Sequence, residues 1–361
     1  MQKPLSSLFP PTNTSVRIGY QKPEEIGCFS YDENRKISYD ASSLKIFKSP
    51  GKFPLDLNDG YPAGYKSKVE YAKSNPEHLD PICAVLQENY QQKTDGLPMV
   101  WPGSDAKPPS LITWRGILTK IVTLPFLKRE SLRLNVIKRN QTLCIEEVMD
   151  QEYWSRHSSE SSDRQKRMMY WGYRFEAFCC FDMAQHEKED EEEVSEEDDA
   201  DSRYIVNTMQ EFGVVCKGKL GNHRLFIGAE VDAIDESSSS YIELKTHRQG
   251  SRMPFPKCLK MWTQSFLIGI EDLAIGLRDD DGMLNKIERV KVSDLLRRNG
   301  IENCDRNFLL GFASNFLDWL LETCDNDKKY RLMYEPESQC LSFTPDGTIA
   351  NFIPDSFNKL V

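Results

Sequence analysis

The sequence predicts one α+β domain built around a mixed β-sheet, and three observations carry that prediction. Helix-period and strand-period segments mix along the chain without the strict strand–helix–strand rhythm of a parallel sheet. Neither a Pro/Gly-rich linker nor an internal repeat divides residues 1–361. With 39% hydrophobic and 28% charged residues, the chain is too apolar for disorder and long enough to bury a sizeable core.

The elements follow in order. Residues 1–60, rich in Pro, Ser, Asn and Gly, read as extended chain wrapping a core. Glu77 to Tyr90 places Leu79, Ile82, Val85 and Leu86 at helical spacing. Pro98 to Pro109 is a loop, and Leu111 to Val122 reads as a β segment. Leu132, Leu134 and Val136 alternate with polar residues, turn at Arg139-Asn140-Gln141 and return through Thr142 to Glu147 as a hairpin. A helix capped by Ser162 or Asp163 runs to about Gln185. Asn207 to Gly218 and Leu225 to Asp235 are strands around Leu220-Gly221-Asn222-His223, followed by a strand at Tyr241 to Thr246. Pro256 opens a helix to about Ile270. Ala274 to Arg278 and Asn285 to Val292 form a hairpin around Asp279-Asp280-Asp281-Gly282. A helix at Asn307 to Cys324 and two short strands complete the pattern.

Composition narrows the chemistry. The longest apolar stretch, Phe308 to Leu321, is broken by Ser314, Asn315 and Asp318, well short of the roughly 18 unbroken residues of a membrane span. No apolar signal core follows Met1. Ten scattered cysteines without a C-x-x-C pair read as reduced and intracellular. Five histidines without metal-like spacing speak against zinc chemistry and against Ser-His or Cys-His catalysis. The whole net charge of −10 resides in Glu187 to Asp201, which holds eleven carboxylates and one lysine. Self-repulsion and the near absence of apolar residues predict a disordered loop there. Its deletion is expected to leave melting temperature and catalysis nearly unchanged. A drop of many degrees in a thermal melt would show the segment to be an ordered part of the fold.

The chemistry-bearing segment is Gly228-Ala229-Glu230-Val231-Asp232, followed by Tyr241-Ile242-Glu243-Leu244-Lys245-Thr246. Residues two apart on a strand share a face, so Glu230 pairs with Asp232 and Glu243 with Lys245. Strands about 4.8 Å apart then bring three carboxylates and one ammonium into one patch. Such an oxygen-only set suits Mg²⁺ or Mn²⁺, which activate water and hold a scissile phosphate. Glu176 adds a fourth carboxylate on a helix face of small and apolar neighbours, where an unpaired charge is costly. Gln264 can donate to a phosphate or to water. Arg115, with Gly116 after it, reads as a phosphate clamp on a strand. Four carboxylates against one lysine predict raised pKa values and a strained metal-free site, which Glu243→Gln is expected to relieve.

In this order the motifs Thr113-Trp114-Arg115-Gly116, Gly172-Tyr173-Arg174-Phe175-Glu176, Gly228-Ala229-Glu230-Val231-Asp232, Glu243-Leu244-Lys245-Thr246 and Trp262-Thr263-Gln264-Ser265-Phe266-Leu267 resemble the decapping and exoribonuclease (DXO-type) family. The resemblance runs from Gly27-Cys28-Phe29-Ser30 to Phe352-Ile353-Pro354. It implies two packed mixed sheets with flanking helices and an active-site pocket between them. It implies two divalent ions on Glu176, Glu230, Asp232, Glu243 and the Leu244 carbonyl. Lys245 and Gln264 would touch the scissile phosphate or nucleophile. Trp114, Arg115 and Gly116 would line the substrate pocket, with Arg35 and Glu77 as weaker contacts. The implied activity is removal of unmethylated caps, NAD caps or triphosphate ends from RNA, then 5′→3′ degradation, in the nucleus and also the cytoplasm. The family also contains a protein that stabilises a separate nuclear 5′→3′ exoribonuclease, so a binding role with such a partner is the alternative. A DNA nuclease on the same Glu-x-Lys core is a further alternative. Gly213 stands where the family places a substrate contact.

Overall fold

A computed structural model describes residues 1–11, 17–91, 108–150, 153–154, 162–182, 206–301 and 304–357. The expected loop at 98–107 and the acidic run at 187–201 lie outside the described residues. The strands are β1 (Gln2–Pro4), β2 (Tyr20–Tyr31), β3 (Ile37–Ser38), β4 (Lys45–Phe47), β5 (Leu55–Asp56), β6 (Tyr65–Lys66), β7 (Leu111–Trp114), β8 (Leu132–Arg139) and β9 (Thr142–Glu147). They continue with β10 (Cys180–Asp182), β11 (Val206–Asn207), β12 (Glu211–Leu220), β13 (His223–Glu230), β14 (Ala233–Asp235) and β15 (Tyr241–Arg248). The last are β16 (Asp272–Arg278), β17 (Met283–Lys291), β18 (Lys329–Glu335) and β19 (Cys340–Pro345). The helices are α1 (Lys68–Ser74), α2 (Asp80–Gln91), α3 (Arg115–Thr123), α4 (Asp163–Cys179), α5 (Phe255–Ile268), α6 (Val292–Arg298) and α7 (Arg306–Thr323).

Two mixed sheets organise these elements. One has ten strands in the order β1-β19-β18-β8-β9-β7-β13-β12-β2-β3, the other seven in the order β10-β4-β14-β15-β16-β17-β5. The largest core packs apolar residues of both sheets with α3, α5 and α7, among them Ile227, Leu118, Trp262, Phe316 and Ile275. Helix α2 covers the other face of the ten-stranded sheet through Ile82 and Leu86 against Phe226. Helix α4 covers the other face of the seven-stranded sheet through Tyr170 and Phe175 against Leu244. Burial of these side chains at about 1.5–3 kcal/mol each holds the layers together. Among the described residues no helix is long and apolar enough to cross a membrane.

The α+β architecture with two packed mixed sheets matches the expectation. Three local readings change. The expected β segment from Leu111 stops at Trp114, and Arg115 opens α3. Its β-branched residues Ile117, Thr119, Ile121 and Val122 are all buried, so tertiary packing overrides their strand preference. The helix from Asp163, with its Ser162–Gln165 capping box, ends at Cys179, because Cys180 to Asp182 is drawn into pairing with β4. The expected strand from Leu225 to Asp235 is two strands. Residues Val231 and Asp232 break it as the chain leaves the ten-stranded sheet for the seven-stranded one.

Candidate active site

That break builds the site. Glu230 is the last residue of β13, and Asp232 lies in the crossing, so the two acids do not share a strand face as the alternation predicts. They converge nonetheless, because β14 pairs antiparallel with β15 and sets Asp232 beside Glu243 and Lys245. An Oδ of Asp232 accepts the Leu244 N–H at 2.6 Å and faces the Lys245 Nζ at 3.4 Å. Lys245 reaches Glu243 at 2.7 Å and donates to the Leu244 carbonyl at 2.9 Å. Gly228, two residues before Glu230, leaves room for the neighbours. A Cβ there would stand 2.6 Å from Ile82 and 2.8 Å from Trp114. Glu176 joins from α4, within the field of Asp232, Glu230 and Lys245.

The electrostatics divide the four carboxylates. Burial pushes Glu176 well above the usual carboxylate range, and Asp232 adds to the shift. Burial also raises Asp232 to about 6 against the pull of Lys245, with Glu243 and Glu230 adding repulsion. Glu243 goes the other way. Burial alone would raise it, but Arg115 and Lys245 together hold it down at about 2. Desolvation by the surrounding protein also opposes the charge on Glu230, whose own side chain is exposed, but Lys68, the neighbouring Glu211 and Arg115 together outweigh it, so Glu230 is lowered. The strain that equal carboxylates predict is therefore real at Glu176 and Asp232 and absent at Glu243. Relief of strain by Glu243→Gln does not follow.

Arg115 differs from its sequence reading. It is the first residue of α3, nearly buried, and donates an Nη to Glu243 at 2.9 Å. It anchors a site carboxylate rather than standing on a strand as a free phosphate clamp. Trp114 donates its indole N–H to the His78 carbonyl at 3.0 Å and packs on Phe29. Gly116 lies in the first turn of α3 with open space where a Cβ would be. Gln264 is half-buried on α5. At Gly213 a Cβ would stand 2.3 Å from the Phe29 ring, so only the backbone is available for a contact.

Arg35 and Glu77 join the site through residues that sequence reasoning missed. Arg35 pairs with Glu211 and Glu77, and its guanidinium lies 3.8 Å from the Tyr31 ring centroid. Glu211 also pairs with Lys68, which in turn reaches Glu230 at 3.4 Å. Burial and Glu230 raise Glu211 to about 7 despite Lys68 and Arg35. The two neighbouring acids are pushed apart, Glu211 upward and Glu230 downward. No local pattern marks Lys68, which is far from Glu211 in sequence. Glu211 carries a weak signal, lying two residues before Gly213 in a strand whose register opposes Glu230.

Lys68→Ala is expected to cost about 2 kcal/mol, the scale of hydrogen bonds to charged groups. A carboxyl whose folded pKa is raised loses stability as pH climbs through that value. Without Lys68 the pKa of Glu211 climbs further, so the loss is expected to grow from pH 6 to pH 8. Thermal melts of both proteins across that range check it; a constant gap would show that Lys68 does not hold Glu211.

Acids from a strand end, a crossing segment and a flanking helix, with Glu-x-Lys on a strand within the sheet, define a hydrolytic nuclease core. A family model described as "RAI1 like PD-(D/E)XK nuclease" matches residues 21–358. The chain belongs to that family and is a nuclease. It is 30% identical over 346 residues to the decapping nuclease RAI1 of Emericella nidulans, covering 91% of this chain and 88% of the relative. It is 30% identical over 349 residues to the human decapping and exoribonuclease protein, covering 91% and 82%. Among solved structures, Candida albicans Rai1 in complex with pU5-Mn²⁺ superposes with TM-score 0.75 at 20% identity, covering 99% of this chain and 98% of that one. Scheffersomyces stipitis Rai1 with (3′-NADP)⁺ and calcium gives 0.75 at 24% identity, covering 95% and 97%. These two structures share the fold.

Proposed function

We propose that this nuclease hydrolyses phosphodiester and pyrophosphate bonds at RNA 5′ ends with divalent cations. The observation that carries this is Glu176, a half-buried carboxyl on α4 with no ion pair among the described residues, which desolvation and the nearby Asp232 and Glu230 push upward at a site of four carboxylates. A buried acid without a cation is costly, and a divalent ion removes that cost. The donors fit a hard cation, because all are oxygens: Glu176, Glu230, Asp232, Glu243 and the Leu244 carbonyl. Among the described residues no three donors already form a metal-binding group. In this arrangement Lys68, Lys245 and Arg115 compensate the carboxylates. Two ions, Mg²⁺ or Mn²⁺, would sit on this set; bound there, they polarise the phosphate and lower the pKa of the attacking water.

The chain's own residues do the rest. Lys245, raised by its three acidic neighbours Asp232, Glu243 and Glu176 in spite of burial, stays charged and neutralises charge developing on the phosphate. Gln264 donates to the phosphate or water. Arg115 fixes Glu243. Arg35, Glu77, Trp114 and Gly116 border the substrate. The relatives' names support decapping and exoribonuclease activity. Unmethylated caps, NAD caps and triphosphate ends as the preferred substrates rest on the family resemblance, as do nuclear residence and an exoribonuclease partner.

The test is product analysis on RNAs bearing monophosphate, triphosphate, unmethylated-cap and NAD-cap 5′ ends, with Mg²⁺, Mn²⁺ or chelator, beside matched DNA. Cleavage of at least one RNA only with metal is expected. Equal turnover in chelator, or preference for DNA, would overturn the reading.

A further inference from the structure

Strand β15 is paired with β16 from Ile242 to Arg248, all but its first residue. On its other side β14 pairs only Tyr241 and Ile242. Beyond Glu243, among the described residues, no strand pairs with that edge of β15. Backbone direction alternates along a strand, so Leu244 and Thr246 both present their N–H and C=O to that edge. At Leu244 both groups belong to the site already described: the N–H goes to Asp232 and the C=O to Lys245. At Thr246 the carbonyl accepts the Lys257 ammonium at 2.6 Å.

Lys257 comes from the first turn of α5, on the same helical face as Gln264 two turns later. Its side chain is half-buried. Among the described residues no carboxylate lies within ion-pair distance of it; the charged groups nearest in effect are Arg278 and Lys245, both cations. Arg278 is 8% exposed, feels Asp280 and Asp279, and its Nε has no hydrogen-bond partner among the described residues. A cation without a counter-ion, pressed by two further cations beside a strand N–H, describes an anion site, since each raises the cost of the others until a negative charge arrives. Burial, with Arg278 and Lys245, lowers the Lys257 pKa to about 8, which leaves the ammonium mostly charged at neutral pH.

We infer that Lys257 and the Thr246 N–H form a second phosphate subsite, which holds a phosphodiester of the RNA adjacent to the scissile one. Residues two apart on a strand are about 6.6 Å apart, so the subsite lies one short step from the Leu244–Lys245 site. The strand then leads to a cavity of about 450 Å³ bordered by His247, Arg248, Arg298 and the Lys286–Glu288 ion pair over Ile275 and Leu277, room for the chain to continue. The inference rests on the nuclease acting on RNA, and adds where its backbone runs.

The test is equilibrium binding of a short 5′-phosphorylated oligouridylate to the full chain in Ca²⁺ across a salt series. Lys257→Ala is expected to weaken binding about tenfold. The slope of log K against log salt is expected to fall by about 0.7, one phosphate contact on a single strand. Lys257→Arg should restore the slope. On the wild-type protein, a neutral methylphosphonate at one non-scissile linkage should reproduce the loss, and its effect should vanish in Lys257→Ala. An unchanged slope in Lys257→Ala, or losses that add at every linkage, would overturn the subsite. If Lys257→Ala does not fold, the wild-type methylphosphonate series decides: no linkage that lowers the slope means no subsite. Failure of the wild type to bind RNA at all would sink the RNA reading instead.

Discussion

Glu243→Gln is expected to destabilise the metal-free protein by about 3–5 kcal/mol, the cost of removing one partner from a buried ion pair. The carboxylate is 3% exposed in its side chain and receives Arg115 at 2.9 Å and Lys245 at 2.7 Å. The amide leaves Arg115, itself nearly buried, without its charge partner. The sign follows from the pKa. A carboxyl held at about 2 in the fold, below its unfolded value, contributes stability above the unfolded pKa and loses it as pH falls toward 2. At neutral pH that contribution is complete, so removing the charge removes all of it. Glu176→Gln is expected to do the reverse. Its carboxyl is raised, so its charge costs stability as pH climbs, and the amide removes that cost. Asp232, raised to about 6, adds a loss of stability between its unfolded value and that pH. Thermal melts of wild type, Glu243→Gln and Glu176→Gln in chelator at pH 5 and 7.5 check the ordering. Equal melting temperatures for the two amides would show that the site does not divide as described.

The double substitution Glu230→Ala with Asp232→Ala is expected to lower hydrolysis of every 5′-end substrate at least about thousandfold. Metal-assisted charge stabilisation is worth several kcal/mol, and about 4 kcal/mol corresponds to that factor. The two residues come from the end of β13 and the crossing to β14, so their loss strips donors from both sides of the site. A second readout separates chemistry from folding. Saturating Mn²⁺ at about 100 times its dissociation constant should stabilise wild type by roughly 2.7 kcal/mol, and the variant should lose most of that gain. Residual turnover within tenfold of wild type, or an unchanged Mn²⁺ shift, would remove Glu230 and Asp232 from the metal site.

Most of the ingredients are legible in the order of residues. Period-2 and period-3.6 patterns locate the hairpins, α5 and α7 to within a few residues, because their apolar faces each meet one core. Acidic residues inside apolar strands mark Glu230, Asp232 and Glu243, since an uncompensated carboxylate has no other reason to be there. The sequence by itself determined the residues on which the proposed chemistry rests: carboxylates as candidate oxygen donors, a single Glu-x-Lys segment and no thiolate or imidazole cluster. Only the tertiary structure decided which carboxylate bears charge. Arg115 changed from clamp to anchor once packing turned Leu111 to Val122 into a strand and a helix. Lys68 and Glu211 entered the site through contacts across 143 positions of chain, which no local period encodes. The break at Val231–Asp232 arises because one strand cannot pair in both sheets. Coulomb energy depends on distance and burial, and neither is written in the order of residues.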